Sequence, residues 1–192
     1  MPSPVGHSLA GLIIYQLAPE IGGLARRQVI ALYVIAANAP DLDFVPGLIV
    51  GAPNRFHHGA THSIGAALVF ATLLTLLLRL LGKEGGARPF LVFLGLYVSH
   101  LLLDYFGTDT SPPFGIPALW PASAATYMAP VTPFGDIHRT NSTADFFPSL
   151  FSAHNLWAVS LECLFLVPLL LLAFAWRKRR SAASGCSRTL AP

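Results

Sequence analysis

Residues 156–180, LWAVSLECLFLVPLLLLAFAWRKRR, decide the fold class of this chain. The segment Leu156–Trp176 is almost entirely apolar, and four cations, Arg177-Lys178-Arg179-Arg180, follow it at once. About 20 apolar residues in a helix cross the hydrocarbon core of a bilayer, and Lys and Arg favour its cytoplasmic side. The stretch therefore predicts a membrane-spanning helix whose carboxyl end lies in the cytoplasm.

Four earlier segments are also apolar: Leu9–Ile21, Val29–Asn38, Ile64–Leu81 and Phe90–Tyr105. The composition agrees with a membrane protein, because 54% of the residues are hydrophobic and only 11% are charged, against roughly 25% charged residues in soluble domains. We predict an all-α, polytopic integral membrane helical bundle with about 4–5 membrane helices. The two cysteines are too few and too far apart for a disulfide framework or a Cys-type zinc site.

The chain divides into one domain and a tail. Residues 1–180 are predicted to form a single membrane-embedded domain, and residues 181–192 a disordered cytoplasmic tail. Between the last two apolar segments, Phe106–Asn155 is rich in Pro, Gly and aromatic residues and predicts a long irregular outer loop. His138 and His154 are interpreted as residues of this loop.

The cations indicate the orientation. When the five segments cross alternately, most Lys and Arg residues fall on one side: Arg26, Arg27, Arg79, Lys83, Arg88, Arg177, Lys178, Arg179, Arg180 and Arg188. Only Arg55 and Arg139 fall on the other side. The positive-inside rule makes the first side cytoplasmic. We predict a multi-pass protein of the inner (plasma) membrane with a cytoplasmic carboxyl terminus and no nucleic-acid partner.

Histidine and aspartate cluster at the opposite, outer ends of the segments: His7, Asp41, Asp43, His57, His62, His100 and Asp104. Ionisable side chains at membrane depth are costly and usually mark function. Imidazole and carboxylate groups are ligands for divalent transition metals. The pattern predicts a metal centre that is open to the outer face.

Each part of the pattern also has a simpler interpretation. His100 and Asp104 are four apart and share a helix face, as metal ligands or as a buried hydrogen-bonded pair. Asp41 and Asp43 follow Pro40, where an Asx turn or a helix cap is an alternative. Ser63 can cap the third segment and leave the neighbouring histidines as polar surface.

The motifs occur in a characteristic order: Gly6-His7, Pro40-Asp41-Leu42-Asp43, His57-x-Gly-x-Thr-His62-Ser63, Ser99-His100-x-x-x-Asp104 and Gly115-Ile116-Pro117-Ala118-Leu119-Trp120-Pro121. Over about residues 5–121 the chain resembles the membrane-bound metal-dependent hydrolases of the LexA-regulated type, the DUF457 group. That family is distantly similar to zinc-dependent phospholipase C and S1/P1 nuclease. The resemblance implies six metal ligands: His7, Asp41, His57, His62, His100 and Asp104.

One position departs from the family pattern. The family usually has Arg after its first loop histidine, whereas this chain has His58. Arg binds a phosphate through two parallel hydrogen bonds, and His does so more weakly. His58 is therefore a candidate substrate contact.

The predicted function is hydrolysis of a phosphoester by metal-activated water, with a lipid, lipid-linked or small-molecule substrate. The metal is expected to be zinc, with manganese as an alternative, and Asp41 or Asp43 acts as bridging ligand or base. The rival hypothesis is a non-catalytic membrane metal-binding or transport protein. Transport is disfavoured because the cytoplasmic half of the spans has no acidic or His residue except Glu20. The sequence lacks the Arg-rich motif of phosphatidic-acid-type lipid phosphatases and the His-Glu-x-x-His of zincin proteases.

Overall fold

The computed structural model describes residues 1–18 and 21–188, with side chains as far as residue 182. Glu20 lies outside the described residues. Seven α-helices occur in this part of the chain: α1 (Pro4–Leu17), α2 (Arg26–Ala37), α3 (Phe44–Ile49), α4 (Ile64–Leu80), α5 (Ala87–Tyr105), α6 (Phe146–Ser149) and α7 (Ala153–Arg188). Two short 3-10 helices, Ala39–Asp43 and Pro53–Phe56, connect them. The described residues contain isolated β-bridges but no strand, so the all-α prediction is confirmed.

Two helices are long and apolar enough to cross a membrane. They cover Ala87–Tyr105 and Ala153–Ala182. A third crossing is possible if Arg26–Ala37 and Ala39–Ile49 act as one broken span, since the two pieces bend by 62°. Pro40, which has no backbone N–H to continue the helical ladder, lies at this bend.

Five apolar segments thus form helices, but four or five membrane spans stay a prediction. Helix α1 has 14 residues and α4 has 17. At 1.5 Å per residue these helices are about 21 and 26 Å long, which is shorter than the hydrocarbon core of about 30 Å. The number of apolar segments in the sequence therefore does not give the number of membrane spans, because it does not test whether each helix is as long as the hydrocarbon core is thick.

The amino end of α1 is fixed against α7. The Ser3 side chain caps α1, accepting from the amides of Val5 and Gly6. Buried Glu162 of α7 accepts from the Ser3 amide at 2.7 Å and from its hydroxyl at 2.5 Å. Because of this cap α1 begins before the predicted segment, and His7 lies inside the helix rather than ahead of it.

Helices α1, α2, α4 and α5 enclose the core. Tyr33, Phe93 and Leu96 are fully buried there, together with small residues such as Ala36 and Ala71. Small side chains at helix contacts let backbones approach closely, which is the usual basis of packing in membranes. This packing brings the ends of α1, α2 and α5 together.

The segment between α5 and α7 is ordered although it is mostly irregular. Its backbone amides and carbonyls pair within the segment, as between Ile116 and Tyr127 at 2.9 and 3.0 Å, and Ala129 donates to Tyr105 at the end of α5. Gly115 has a φ of 85°, and a Cβ there would lie 2.3 Å from the Tyr127 carbonyl oxygen. Only glycine fits this close approach.

The predicted disordered tail begins at residue 181, whereas α7 is helical as far as Arg188. Extending an existing helix costs less than nucleating one, and Ser181-Ala182-Ala183-Ser184 contains no helix breaker. The prediction for residues 189–192 lies outside the described residues.

Gly11 tests the close packing of α1 on α2. A Cβ at Gly11 would lie 3.0 Å from the Tyr33 carbonyl oxygen and 3.1 Å from Ala37 Cβ. We expect Gly11→Leu to lower the free energy of unfolding by roughly 1–3 kcal/mol, since overpacking forces the helices apart. Thermal unfolding in detergent measures this. The control is Gly95→Leu in α5, where a Cβ meets nothing within 4 Å. Equal melting temperatures for the two variants would contradict the assignment of this contact.

Candidate metal centre

Four chain segments meet at one cluster of imidazoles and carboxylates. Helix α1 contributes His7, and α5 contributes His100 and Asp104. The 3-10 helix Ala39–Asp43 contributes Asp41 and Asp43. The turn before α4 contributes the remaining two, His57 and His62. The structure thus brings together every residue that the sequence nominated as a ligand, and whether they bind a metal stays a prediction.

The inner part of the cluster centres on two histidine nitrogens. His62 Nε2 and His100 Nε2 are 3.3 Å apart. Asp41 Oδ1 lies 3.5 Å from each of them. Asp104 Oδ2 lies 3.0 Å from His100 Nε2 and 3.5 Å from His62 Nε2. Except for Asp41, these side chains are buried.

These separations suit ligand atoms that share one cation. Two ligands bound at 2.0–2.2 Å to a tetrahedral zinc ion are about 3.3–3.6 Å apart. Five of the six distances among His62, His100, Asp41 and Asp104 are close to this value. Two sets of three donors, His62 with His100 and Asp104, and His7 with Asp41 and His100, could each hold a divalent ion.

His7 completes this side of the cluster. Its ring stacks on His100 with centroids 3.6 Å apart, and its Nε2 lies 3.4 Å from Asp104 Oδ1. Among the described residues, neither ring nitrogen of His7 has a hydrogen-bond partner, nor does Asp104 Oδ2. Buried polar atoms without partners are rare and need an explanation. A cation that these atoms coordinate would provide one.

The backbone and neighbouring carboxylate select the tautomers of two histidines. His100 Nδ1 lies 2.8 Å from the Ala37 carbonyl oxygen, which only accepts. His62 Nδ1 lies 3.2 Å from Asp43 Oδ2. With the proton on Nδ1, each Nε2 has its lone pair directed at the cluster, which is how metal-binding histidines are usually oriented.

A second, outer group adjoins the first. It consists of Asp41, Asp43 and His57, and further donors are available on His58 and His62. His57 Nδ1 lies 3.0 Å from Asp43 Oδ1 and 3.9 Å from Asp41 Oδ1. Asp41 belongs to both groups and is the residue best placed to bridge two cations.

The turn residues around the outer group are hydrogen-bonded to its carboxylate. Thr61 Oγ1 donates to Asp43 Oδ2 at 2.9 Å, and the Tyr97 hydroxyl of α5 donates to the Thr61 carbonyl at 2.7 Å. Ser63 caps α4 by accepting from the Ala66 amide. The capping alternative is therefore correct for Ser63, but His62 beside it is fully buried and not polar surface.

The electrostatics of the turn favour a bound cation. Burial lowers the pKa of His57 to about 3, against the opposing effect of its hydrogen bond with Asp43, so the ring is neutral at physiological pH. Burial also acts to lower the pKa of His62, but the carboxylates of Asp41 and Asp43 outweigh it and raise this pKa to about 8. The two carboxylates thus favour a positive charge at His62, which a proton or a metal ion supplies.

Sequence reasoning missed Asp109. It is buried and accepts from the amides of Ser111 and Gly115 at 3.0 and 2.8 Å, and its Oδ2 lies 3.3 Å from His58 Nδ1. Burial opposes ionisation of Asp109, but these contacts lower its pKa to about 2. The only signal in the sequence was the short Asp-x-Ser spacing typical of an Asx turn. Asp109 orients His58, which adopts a φ of 60°.

A polar cavity of about 220 Å³ opens beside the outer group. His57 and His58 line this cavity together with residues 136–139 of the irregular segment. His138 lies at this cavity and stacks on His154, with ring centroids 3.7 Å apart. Neither of these two belongs to a potential metal-binding group among the described residues. His138 lies in the irregular segment as predicted, whereas His154 lies in the first turn of α7 and not in the loop.

The comparison with family models agrees with the motif order. A model described as YdjM inner membrane protein matches residues 1–182, which is most of the chain. This supports location in the inner membrane, together with the apolar helices. No curated protein and no solved structure matches the chain. Because the match covers most of the chain, the chain belongs to the YdjM inner membrane protein family, a family of the DUF457 type.

Proposed function

We propose that this protein is an integral membrane metal-dependent hydrolase that cleaves phosphoesters, with a lipid or lipid-linked molecule as substrate and zinc as the metal. The observation that carries the proposal is the convergence of buried histidine and aspartate donors, several without hydrogen-bond partners, at separations that suit shared cations. Such a set costs free energy in an apolar bundle unless it is compensated. The resemblance to the membrane-bound metal-dependent hydrolases, a family distantly similar to zinc-dependent phospholipase C, supports the choice of reaction.

A bound divalent cation would lower the pKa of water and neutralise charge on phosphoryl oxygens. The protein's own residues hold it: His7, His62, His100 and Asp104 on the inner side, His57 on the outer side, and Asp41 between them. The buried position of these donors excludes bulk water from all but the cavity side, and low solvent access strengthens their electrostatic effect.

The two central carboxylates have different roles in this proposal. Both oxygens of Asp43 contact other side chains, His57 on one and Thr61 and His62 on the other. Asp43 therefore orients the histidines. The Asp41 side chain is more exposed, at 17% against 4% for Asp43, and reaches the histidines of both groups. It is the better candidate for bridging ligand or for the base that orients water.

The cation distribution supports an outward-facing site. With five crossing segments, the metal centre and the irregular segment 106–152 lie on the outer side, and the basic residues around Arg177 lie in the cytoplasm. Substrate would then reach the cavity from the outer leaflet.

Metal content tests the ligand assignment directly. We expect His100→Ala to lose most of the zinc that copurifies with the detergent-solubilised protein, because its Nε2 lies within 3.5 Å of three other donors. Elemental analysis by mass spectrometry measures the zinc content. His154→Ala is the control, since His154 lies outside the cluster, and it should retain the parental amount. Equal metal in both variants would refute the assignment.

Activity tests the catalytic assignment. We expect Asp41→Asn to reduce kcat at least 100-fold on phosphodiester or phosphomonoester lipid analogues with zinc supplied, since Asn keeps the size but loses the charge. Asp145→Asn, an exposed carboxylate outside every motif, should change kcat little. Full activity in Asp41→Asn would exclude the proposed role. A zinc-bound parent that hydrolyses no substrate would favour the metal-binding alternative.

Topology reporters test the orientation. A reporter fused after Arg180 should read cytoplasmic, because four consecutive cations follow the apolar part of α7. A reporter inserted near Ser123, in the irregular segment, should read exterior. Both reporters on the same side would contradict an outward-facing centre.

A further inference from the structure

The cavity beside the metal centre is also lined by a positively charged side chain, Arg139, which has no role in the hydrolysis described above. Arg139 lines the cavity together with His57 and His58. Its Nε donates to Asn54 Oδ1 at 3.2 Å. Within the part of the chain that the structure describes, its two Nη groups have no hydrogen-bond partner. These N–H groups are donors in a planar fork that matches the oxygens of a phosphate or carboxylate.

Arg139 is held in place by surrounding side chains. Its guanidinium lies over the Phe44 ring, 5.0 Å from the centroid. Asn54, which accepts from it, is itself held in place, because the Asn54 backbone amide donates to Asn141 Oδ1 at 3.1 Å. A long side chain that is already ordered loses less entropy when it binds a ligand. The arginine is therefore preorganised beside the cavity.

The backbone next to Arg139 is fixed to α7. Buried Asn155 accepts from the His138 amide and donates to the His138 carbonyl, both at 2.7 Å. The same side chain also donates to the carbonyls of Ser149 and Leu150. The buried side-chain amide of Asn155 thus fixes the backbone of residue 138, which precedes Arg139 at the cavity.

The carboxylates of the cavity wall already have other partners. Asp109 accepts from two backbone amides and contacts His58. Asp136 accepts from the Thr110 hydroxyl and lies 3.1 Å from the Met1 amino nitrogen. Asp136 also lies within electrostatic range of Arg139, but no hydrogen bond or ion pair joins the two among the described residues, so the Nη groups of Arg139 remain available to a ligand that carries its own negative charge.

We propose that Arg139 is the anion-binding residue of this site and holds the phosphate group of the substrate between its guanidinium and the metal centre. The inference deepens the proposed function, on which it rests, because it names the substrate class as an oxyanion small enough for a cavity of about 220 Å³. The phosphate can belong to a lipid headgroup or be free. His58 lines the same cavity, but its Nδ1 faces the Asp109 carboxylate at 3.3 Å, so the donors assigned to the phosphate are those of Arg139.

Phosphate affinity tests the proposal in the zinc-loaded full chain in detergent. Isothermal titration calorimetry with inorganic phosphate, and with dihexanoyl phosphatidic acid as a lipid, gives the two Kd values. We expect Arg139→Gln to raise both roughly 10- to 100-fold, with zinc content unchanged. Arg55→Gln is the matched control: Arg55 is also predicted to lie outside, but it packs over Phe56 and does not line the cavity, so both Kd values should stay parental.

Arg139→Lys tests whether phosphate binding needs the planar guanidinium or only a positive charge. It also tests the proposal if Arg139→Gln does not fold. Lysine keeps the charge but cannot form two parallel hydrogen bonds, so we expect a weaker but measurable loss of phosphate affinity. Parental affinity in either folded variant, or a loss for the lipid alone, would overturn the proposal.

Hydrolysis is measured separately, so that failure of the two proposals can be told apart. If the parent hydrolyses a short-chain phosphoester and Arg139→Gln keeps kcat/KM, the anion site is wrong and the hydrolase stands. If phosphate binding depends on Arg139 but the parent hydrolyses nothing, the anion site stands and the hydrolase assignment is wrong.

Discussion

Buried carboxylates are stable only beside positive charge, and this requirement governs the centre of the protein. Asp43 and Asp104 are buried with Asp41 close by, among helices rich in apolar residues. Histidines surround all three, and a neutral imidazole balances no charge by itself. The negative charge of the carboxylates must therefore be balanced either by protons on the histidines or by bound cations. The buried ring nitrogens of His7 form no hydrogen bond among the described residues, so they are available as ligands for such a cation.

The rest of the bundle positions these ligands. Close contact between α1 and α2 at Gly11, and the bond from Ser3 to Glu162, bring α1 and its His7 against α5. The carbonyl of Ala37, at the end of α2, orients His100. The carbonyls of Ala118 and Trp120 accept from the first amides of α4, which anchors the turn that bears the remaining histidines. Mutations at such distant contacts are thus expected to alter metal affinity without touching a ligand.

The cavity adds a guanidinium to this centre from a part of the chain far away in sequence. Arg139 follows α5 and precedes α7, in the segment with the least regular structure. Irregular segments often carry binding residues on a rigid scaffold. Here Asn155 supplies the rigidity. Its buried side chain forms hydrogen bonds with both the backbone amide and the backbone carbonyl of His138. A cation pair made of metal and arginine suits a phosphate that must be held while it reacts.

The sequence by itself determined the helical class, the membrane location and the set of His and Asp candidate ligands, because long hydrophobic segments and ionisable residues within them can be recognised without coordinates. It did not determine the start of α1 or the number of spans, since capping by Ser3 and helix lengths depend on partners such as Glu162. Only the tertiary structure brought Asp109 and Arg139 to the site. Their positions depend on long-range packing of an irregular segment, which leaves no periodic pattern in the sequence.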